Sequence, residues 1–216
     1  MLNMQFNQTV VIDTNQLEWE ESPMSGVWRK PLAREAAEHG HTTSLVRYLP
    51  GSSFSEHRHP LGEEILVLDG VFSDENGDYG TGTYLRNPPG SRHSPFSKQG
   101  CILLVKLEQF DVEDIEPVCI DTDKAAWMPG EPGLEIMPLH DFGHENVALM
   151  RCFANIKFLP HQHIGGEEVF VLKGTLEDEY GHYPAGTWIR SPHNSEHCPY
   201  VEDEVIFWIK TGHLLP

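Results

Sequence analysis

Histidine and glutamate residues recur in this sequence at a spacing that suits a metal ion. His57 and His59 lie two residues apart, Glu63 follows after a short turn, and His93 comes 30 residues later. Residues i and i+2 of a β-strand share a face, so the two imidazoles project together and a tight turn returns the Glu63 carboxylate beside them. Imidazole suits Zn, Fe, Ni and Cu, and a carboxylate extends the range to Mn. The spacing therefore predicts a divalent metal site made of these four residues.

The same four residue types occur again 104 residues further on, as His161, His163, Glu167 and His197. The offset holds without a slip from residue 45 to residue 106 and aligns 24 identical residues in 62 pairs. A single His-x-His pair is more often a polar strand edge than a pair of ligands. Because the full set recurs at identical spacing while the residues between vary, we predict one divalent metal ion in each half of the chain.

A repeat of about 100 residues is too long for a solenoid unit and indicates two similar domains. The acidic stretch 111–124 is the expected junction, which gives domains at residues 1–112 and 113–216. Short aliphatic runs that end in glycine, such as EEILVLDG and EEVFVLKG, alternate with turn signals and predict an all-β sandwich or barrel in each half. The segment LAREAAEHG at residues 32–40 is the one candidate for a helical turn or two.

Composition narrows the range of partners and compartments. The 216 residues carry a net charge of −18, which argues against nucleic acid or an anionic membrane as a partner. No apolar run reaches the length of a membrane span, and the N-terminus lacks the features of a secretory signal. The four cysteines are widely spaced without a Cys-x-x-Cys pair, so a reducing, cytoplasmic location is expected.

Two further sets of repeated positions allow alternative interpretations. Arg86 and Arg190 occupy equivalent positions shortly before the last histidine of each set. Each guanidinium either reaches the cavity to hold an anionic substrate or pairs with a nearby repeated carboxylate. Those repeated carboxylates are Asp74, Glu75, Asp178 and Glu179.

Aromatic residues are enriched in the second half, where Phe170, Trp188, Phe207 and Trp208 replace Leu66, Tyr84, Leu103 and Leu104 of the first half. If these aromatic side chains line a cavity, the two sites accept different ligands. They could equally form an ordinary core.

The spacing resembles the two motifs of the cupin family, G-x5-H-x-H-x3-E-x6-G and G-x5-P-x-G-x2-H-x3-N. The first copy matches both motifs except at Ser97, which stands in place of the final Asn. The second copy has Asn155 and Asn194 in place of two glycines and Val201 in place of the final Asn. Asn tolerates the left-handed conformation, so the turn at Asn194 can be retained. The resemblance implies two tandem cupin barrels of the double-stranded β-helix, or jelly-roll, type: a bicupin.

The segment GEEILVLDGVFSDENGDYGTGTYLRNPPGSRHSP more closely resembles the cupin domain of ChrR-type anti-sigma factors. Some members of that group are likened to acetylacetone-cleaving, iron-dependent dioxygenases. The anti-sigma activity resides in a separate N-terminal zinc domain with a His/Cys cluster. Residues 1–40 contain one histidine and no cysteine, so sigma-factor binding is not expected. What the resemblance implies here is a three-histidine, one-glutamate metal site in each half.

Two functions are consistent with these features. The first is an Fe(II)-dependent dioxygenase that acts on a small dicarbonyl or a phenolic ketone chelated by the metal. The second is a non-enzymatic, zinc-binding regulatory module of the ChrR type that senses stress. Zn and Fe(II) are the expected metals, with Mn and Ni as alternatives, and a small molecule is the expected ligand. A homodimer is as consistent with the sequence as a monomer.

Overall fold

The computed structural model describes residues 1–37 and 39–215, and they form β-strands almost throughout. The helical element in the described chain is a single 3-10 turn, Thr14–Gln16. The strands up to residue 121 are β1 (Val10–Asp13), β2 (Glu20–Glu21), β3 (Val27–Arg34), β4 (Thr42–Tyr48), β5 (Ser52–Ser53), β6 (His57–His59), β7 (Glu63–Asp74), β8 (Gly77–Gly80), β9 (Thr83–Asn87), β10 (Ser91–His93), β11 (Phe96–Ser97), β12 (Cys101–Leu107) and β13 (Val118–Asp121). The strands after it are β14 (Met128–Pro129), β15 (Leu134–Phe142), β16 (Glu145–Cys152), β17 (Ile156–Lys157), β18 (His161–His163), β19 (Glu167–Lys173), β20 (Thr175–Asp178), β21 (Gly181–Pro184), β22 (Thr187–Ser191), β23 (Ser195–His197), β24 (Tyr200–Val201) and β25 (Val205–Thr211).

The chain divides into two compact units, and each takes a strand from outside its own half of the sequence. The first unit combines Met1–Met4 with Glu18–Ala125, and the second combines Gln5–Leu17 with the chain from Ala126 onward. The expected junction between residues 112 and 113 places residues 5–17 with the first domain and residues 113–125 with the second, whereas the compact units have them the other way round. β1 pairs with β22 of the second unit, and β13 pairs with β9 of the first. Both strands cover a sheet edge whose backbone groups need hydrogen-bond partners.

The first unit consists of a large antiparallel sheet and a set of shorter strands that face its core. The large sheet has the order β13-β9-β7-β12-β4-β3-β2. Strand β7 is shared: its first half pairs with β9 and β12, and its second half pairs with β8 and β11. Alternate residues of the sheet, including Val67 and Leu103, pack with Phe72 from the second half of β7. The interior between these strands is where a cavity forms.

The second unit repeats this arrangement. Its large sheet has the order β1-β22-β19-β25-β16-β15-β14, and a four-stranded sheet has the order β17-β24-β20-β21. Val171 lies opposite Phe207 just as Val67 lies opposite Leu103, with both residues displaced by 104 positions. The prediction of an all-β fold with two tandem jelly-roll barrels is confirmed. No helix of the described chain is long and apolar enough to cross a membrane.

The helical prediction for residues 32–40 is wrong. Leu32 and Ala33 lie in β3 with no exposed surface, and β3 pairs with β4 through a bulge between Pro31 and Ala33. Residue 38 lies outside the described residues. Burial and cross-strand hydrogen bonds outweigh the helical preference of the alanines and glutamates in this segment.

The two asparagines that replace motif glycines adopt the left-handed conformation. Asn155 has φ 61° where Gly51 has φ 80°, and Asn194 has φ 63° where Gly90 has φ 81°. The first pair precedes the His-x-His strand and the second precedes the strand that carries the last histidine. Both turns are therefore retained in the second unit, as the tolerance of Asn for this conformation predicts.

Candidate metal centres

In the first unit, a two-stranded ladder brings the distant histidines together. Strands β6 and β10 pair antiparallel with His57 opposite His93 and His59 opposite Ser91. Residues His57 and His59 share a face of β6, so the three imidazoles converge on one side of the ladder. Glu63 begins β7 after the turn at residues 60–62 and joins them. Each of the four residues offers one ligand atom, and these atoms lie within 4.8 Å of one another.

The distances in the first centre fit a bound cation. The Nε2 atoms of His59 and His93 lie 3.1 Å apart, and each lies 3.4 Å from Oε2 of Glu63. Ligand atoms bonded at about 2.1 Å and set at right angles would be about 3.0 Å apart, and tetrahedral ligands about 3.4 Å. His59, Glu63 and His93 are buried and His57 is half-buried, so a ligand can approach from the side of His57.

Hydrogen bonds to other groups orient the ligands of the first centre. Nδ1 of His57 donates to the carbonyl of Ser55 at 2.9 Å, and Nδ1 of His93 lies 3.4 Å from Oδ2 of Asp74. Donation from Nδ1 leaves Nε2 as the atom with a lone pair for the metal. The Asn87 amide donates to Oε2 of Glu63 at 2.9 Å. Burial lowers the pKa of His59, which keeps its imidazole neutral and able to coordinate.

The second centre brings the same histidines together but places the glutamate differently. His161 lies opposite His197 in the β18–β23 ladder, and His161, His163 and His197 offer ligand atoms within 4.8 Å of one another. Glu167 is outside this cluster. Its carboxylate lies 3.3 Å from Nδ1 of His163 and 4.0 Å from Nε2 of His197. His163 therefore faces the carboxylate with Nδ1, whereas His59 of the first unit does so with Nε2.

The electrostatics of the second centre also fit a cation. Burial, with the nearby Asp178 carboxylate, raises the pKa of Glu167 to about 8. Burial, together with the neighbouring His197 and His161, lowers the pKa of His163 to about 3. The Nε2 atoms of His163 and His197 are buried with no hydrogen-bond partner among the described residues. A divalent cation would give these nitrogens a partner and stabilise the ionised carboxylate.

Asp74 and Asp178, which the sequence offered as one of two possible partners for the repeated arginines, instead contact the last histidine of each set. Asp74 accepts hydrogen bonds from the Tyr79 hydroxyl at 3.0 Å and the Asn76 backbone at 2.7 Å, besides its contact with His93. In the second unit Asp178 lies 3.2 Å from Nδ1 of His197. The signal that could have identified this role is their recurrence at the same distance before each histidine.

Arg86 and Arg190 follow neither of the two interpretations that the sequence allowed, which were a position at the cavity and an ion pair with those carboxylates. The Arg86 guanidinium lies 3.5 Å from Glu64 and contacts Asp114 at 2.5 Å. Arg190 donates to the carbonyl of Gln5 at 3.2 Å. Both side chains are fully buried, and neither lines the cavity next to the histidines of its unit. Alternate residues of a strand face opposite sides of the sheet, so these arginines point away from the cavities.

Each centre opens into a cavity of the size that small ligands occupy. The first cavity has a volume of about 350 Å³ and reaches His57 and Glu63. The second has a volume of about 390 Å³ and reaches His161, Glu167 and His197. Of the four aromatic residues enriched in the second half, Phe207 lines this cavity and Trp188 is fully buried away from it.

Several solved structures share the fold of this chain, although their sequence identity to it is low. A Nostoc punctiforme protein named as a candidate dioxygenase aligns with a TM-score of 0.80 at 16% identity, over 94% of this chain and 82% of that one. Oxalate decarboxylase from Lactobacillus farciminis, in complex with formate, aligns with a TM-score of 0.69 at 13% identity, over 94% and 85%. Salicylate 1,2-dioxygenase from Pseudaminobacter salicylatoxidans aligns with a TM-score of 0.65 at 13% identity, over 85% and 76%.

Sequence comparison assigns the family directly. No curated protein sequence matches the chain. The family model described as the ChrR cupin-like domain matches twice, at residues 7–111 and at residues 116–215. The two matches cover nearly the whole chain, and each contains one complete set of three histidines and a glutamate. The chain therefore belongs to the ChrR cupin-like domain family and carries two copies of the domain.

Proposed function

We propose that this protein is an Fe(II)-dependent dioxygenase whose two barrels each bind one divalent metal ion. The substrate class is a small dicarbonyl or a phenolic ketone that can chelate the metal through two oxygens. The observation that carries the proposal is a buried cluster of three histidines and one carboxylate at the end of a ligand-sized cavity. His57, His59, Glu63 and His93 would hold an iron ion that supplies Lewis acidity toward the chelated oxygens and redox chemistry with dioxygen. Both atoms of the dioxygen would enter the two products of C–C bond cleavage.

The residues of the chain supply binding, orientation and exclusion of water. Asp74 and Asn87 hold His93 and Glu63 in place, so little reorganisation is needed when ligands bind. Apolar side chains such as Phe54 and Leu103 line the first cavity beside the centre and keep bulk water from the chelated oxygens.

Tyr48 offers a further contact in the first cavity. Its side chain lines the cavity and is nearly fully buried. Burial, and secondarily the Glu63 carboxylate, raise the pKa of Tyr48 well above its ordinary value, so the hydroxyl keeps its proton. A protonated hydroxyl in this position can donate a hydrogen bond to a substrate oxygen as negative charge develops there.

The relatives of similar fold support this reading, since two of the three are named as dioxygenases or candidate dioxygenases. Their identity to this chain is low, so the support concerns the suitability of the fold.

The test begins with protein that is loaded with Fe(II) under anaerobic conditions. Oxygen uptake by this protein is then measured in aerated buffer, with acetylacetone and with a phenolic ketone as substrates. We expect uptake matched to substrate loss, and loss of that uptake in a variant that combines His57→Ala and His161→Ala. The Asp121→Asn variant, which alters a surface ion pair with Lys124, is the control and should keep full uptake. Protein with two equivalents of bound iron and no uptake with either substrate would contradict the proposal.

The family assignment favours a second candidate, a zinc-binding regulatory module without turnover. It predicts that protein purified without added metal retains zinc and takes up no oxygen. Elemental analysis of such protein, followed by oxygen uptake after exchange to iron, distinguishes the two candidates.

A further inference from the structure

The walls of the first cavity carry an excess of positive charge. Arg29, Arg34 and Arg58 line it, against the carboxylates of Glu63 and Glu108. Arg29 shares the inner face of β3 with Val27, and Arg34 ends that strand. The guanidinium of Arg34 donates to the carbonyl of Ala37, which also lines the cavity. A divalent ion at the centre would add two further positive charges to this space.

The described residues that line the second cavity include no counterpart of these three arginines. Strand register identifies the equivalent positions. Val46 of the first unit corresponds to Met150 of the second, and Arg29 lies opposite Val46 where Ile136 lies opposite Met150. Thr42 likewise corresponds to Asn146, and Arg34 lies opposite Thr42 where Asp141 lies opposite Asn146. At the remaining position, the repeat offset places Gln162 where the first unit has Arg58. Each arginine of the first cavity is thus replaced by an apolar, acidic or neutral polar residue.

The other residues that line the second cavity also make it more apolar and less positively charged than the first cavity. Ile136, Met150 and Phe207 line the second cavity, and Glu131 contributes a carboxylate. No arginine or lysine is found among the described residues that line it. Leu159, which also lines this cavity, is 83% exposed and makes its entrance apolar. Away from the metal centre, a carboxylate on the ligand would meet the Glu131 carboxylate and hydrocarbon here, which is unfavourable without a pairing cation.

We infer that the two barrels select ligands of different charge: the first takes a metal-chelating ligand that carries a carboxylate, and the second takes a neutral, apolar one. The inference rests on the proposed function, in that both ligands are held at the metal centres. In the first cavity, the planar guanidinium of Arg29 or Arg34 suits the two oxygens of a carboxylate while the chelating end of the ligand reaches the centre. Charge and shape of the walls, rather than the shared ligand set, thus distinguish the two sites.

The test uses two ligands that differ in one charge: 4,6-dioxoheptanoate, a β-diketone with a carboxylate tail, and its methyl ester. The protein is loaded with Co²⁺, and the visible absorption of the cobalt reports chelation at each centre. In unmodified protein, the acid and the ester should each perturb about half of the cobalt absorption at low concentration. A protein that keeps the first centre, with His161→Ala and His163→Ala, should bind the acid about ten-fold or more tightly than the ester. A protein that keeps the second centre, with His57→Ala and His59→Ala, should prefer the ester.

Arginine substitutions then assign the preference to the cavity wall. In the protein that keeps the first centre, Arg29→Gln combined with Arg34→Gln should remove the preference for the acid while the ester binds as before. Arg47→Gln is the matched control, since Arg47 stacks on Trp19 and does not line the cavity. Arg29→Lys keeps the charge without the planar geometry and should retain part of the preference.

The outcomes separate the inference from the function on which it rests. If neither ligand perturbs the cobalt spectrum of unmodified protein carrying two equivalents of cobalt, both fail. If both ligands bind but the first centre treats acid and ester alike, the inference fails and the dicarbonyl site stands. A preference for the acid that survives loss of both arginines also overturns it.

Discussion

The substitution Asp74→Asn tests whether a buried carboxylate sets the tautomer of His93, a histidine of the first candidate metal centre. Asp74 receives the backbone N–H groups of Asn76 and Gly77 and the Tyr79 hydroxyl on Oδ1, and Oδ2 faces Nδ1 of His93. Asparagine keeps an oxygen for the first three donors, so the turn should persist. Its amide N–H₂ would then face Nδ1, which favours the tautomer with the proton on Nε2. That proton occupies the lone pair needed for the metal.

The size of the effect follows from the contact distances. Loss of a group that orients a metal-bound histidine typically lowers metal affinity by about 10–100-fold. The contact between His93 and Asp74 is 3.4 Å, at the long end for a hydrogen bond, so we expect a loss near 10-fold, or about 1.4 kcal/mol. The contact of His197 with Asp178 is shorter, at 3.2 Å, so Asp178→Asn should weaken the second centre more.

The assay is a competition titration of zinc with a chromophoric chelator, in proteins that keep one centre each. Glu75→Gln is the matched control, because Glu75 is an exposed neighbour whose Oε2 accepts from the Ser94 backbone, whereas Asp74 faces Nδ1 of His93. Zinc affinities of Asp74→Asn and Glu75→Gln that agree within two-fold would refute the orienting role of Asp74. A loss of folding in Asp74→Asn, seen in its far-ultraviolet dichroism, would show instead that the turn depends on the charge.

Three further outcomes are expected. Combining His57→Ala with His59→Ala should reduce bound metal from two equivalents to one by elemental analysis, and a protein that still binds two equivalents would contradict the site. Removal of metal by a chelator should lower the melting temperature, since metal at 1,000 times its Kd stabilises a fold by about 4.1 kcal/mol. An unchanged melting temperature at equal protein concentration would argue against stabilisation of the fold by bound metal. Asn194→Ala should lower the free energy of unfolding of the second unit in urea by about 1–2 kcal/mol, because residue 194 has a φ of 63°. Asn194→Gly should not lower it. Equal effects of the two substitutions would mean that the left-handed backbone at this position is not the cause of the destabilisation.

The residues of the candidate metal centres could be identified from the sequence because their geometry is local and repeated. Alternation along a strand places His57 and His59 on one face, and a short turn returns Glu63 beside them. This arrangement depends only on residues 57–63 and not on the fold of the rest of the chain. The recurrence of the set at a constant offset also implied equal folds for the two halves, including the left-handed turn at Asn194.

Tertiary structure alone decided the partners and surroundings of those residues. Asp74 contacts His93 rather than Arg86, β1 and β13 cover sheet edges away from their neighbours in the sequence, and residues 32–34 extend as a strand. The different placement of Glu167 and the arginines that line the first cavity were likewise visible only after folding. Residue types and local periodicity specify which face a side chain occupies. Which distant segment lies opposite that face depends on strand register across the whole barrel, and no local pattern encodes it.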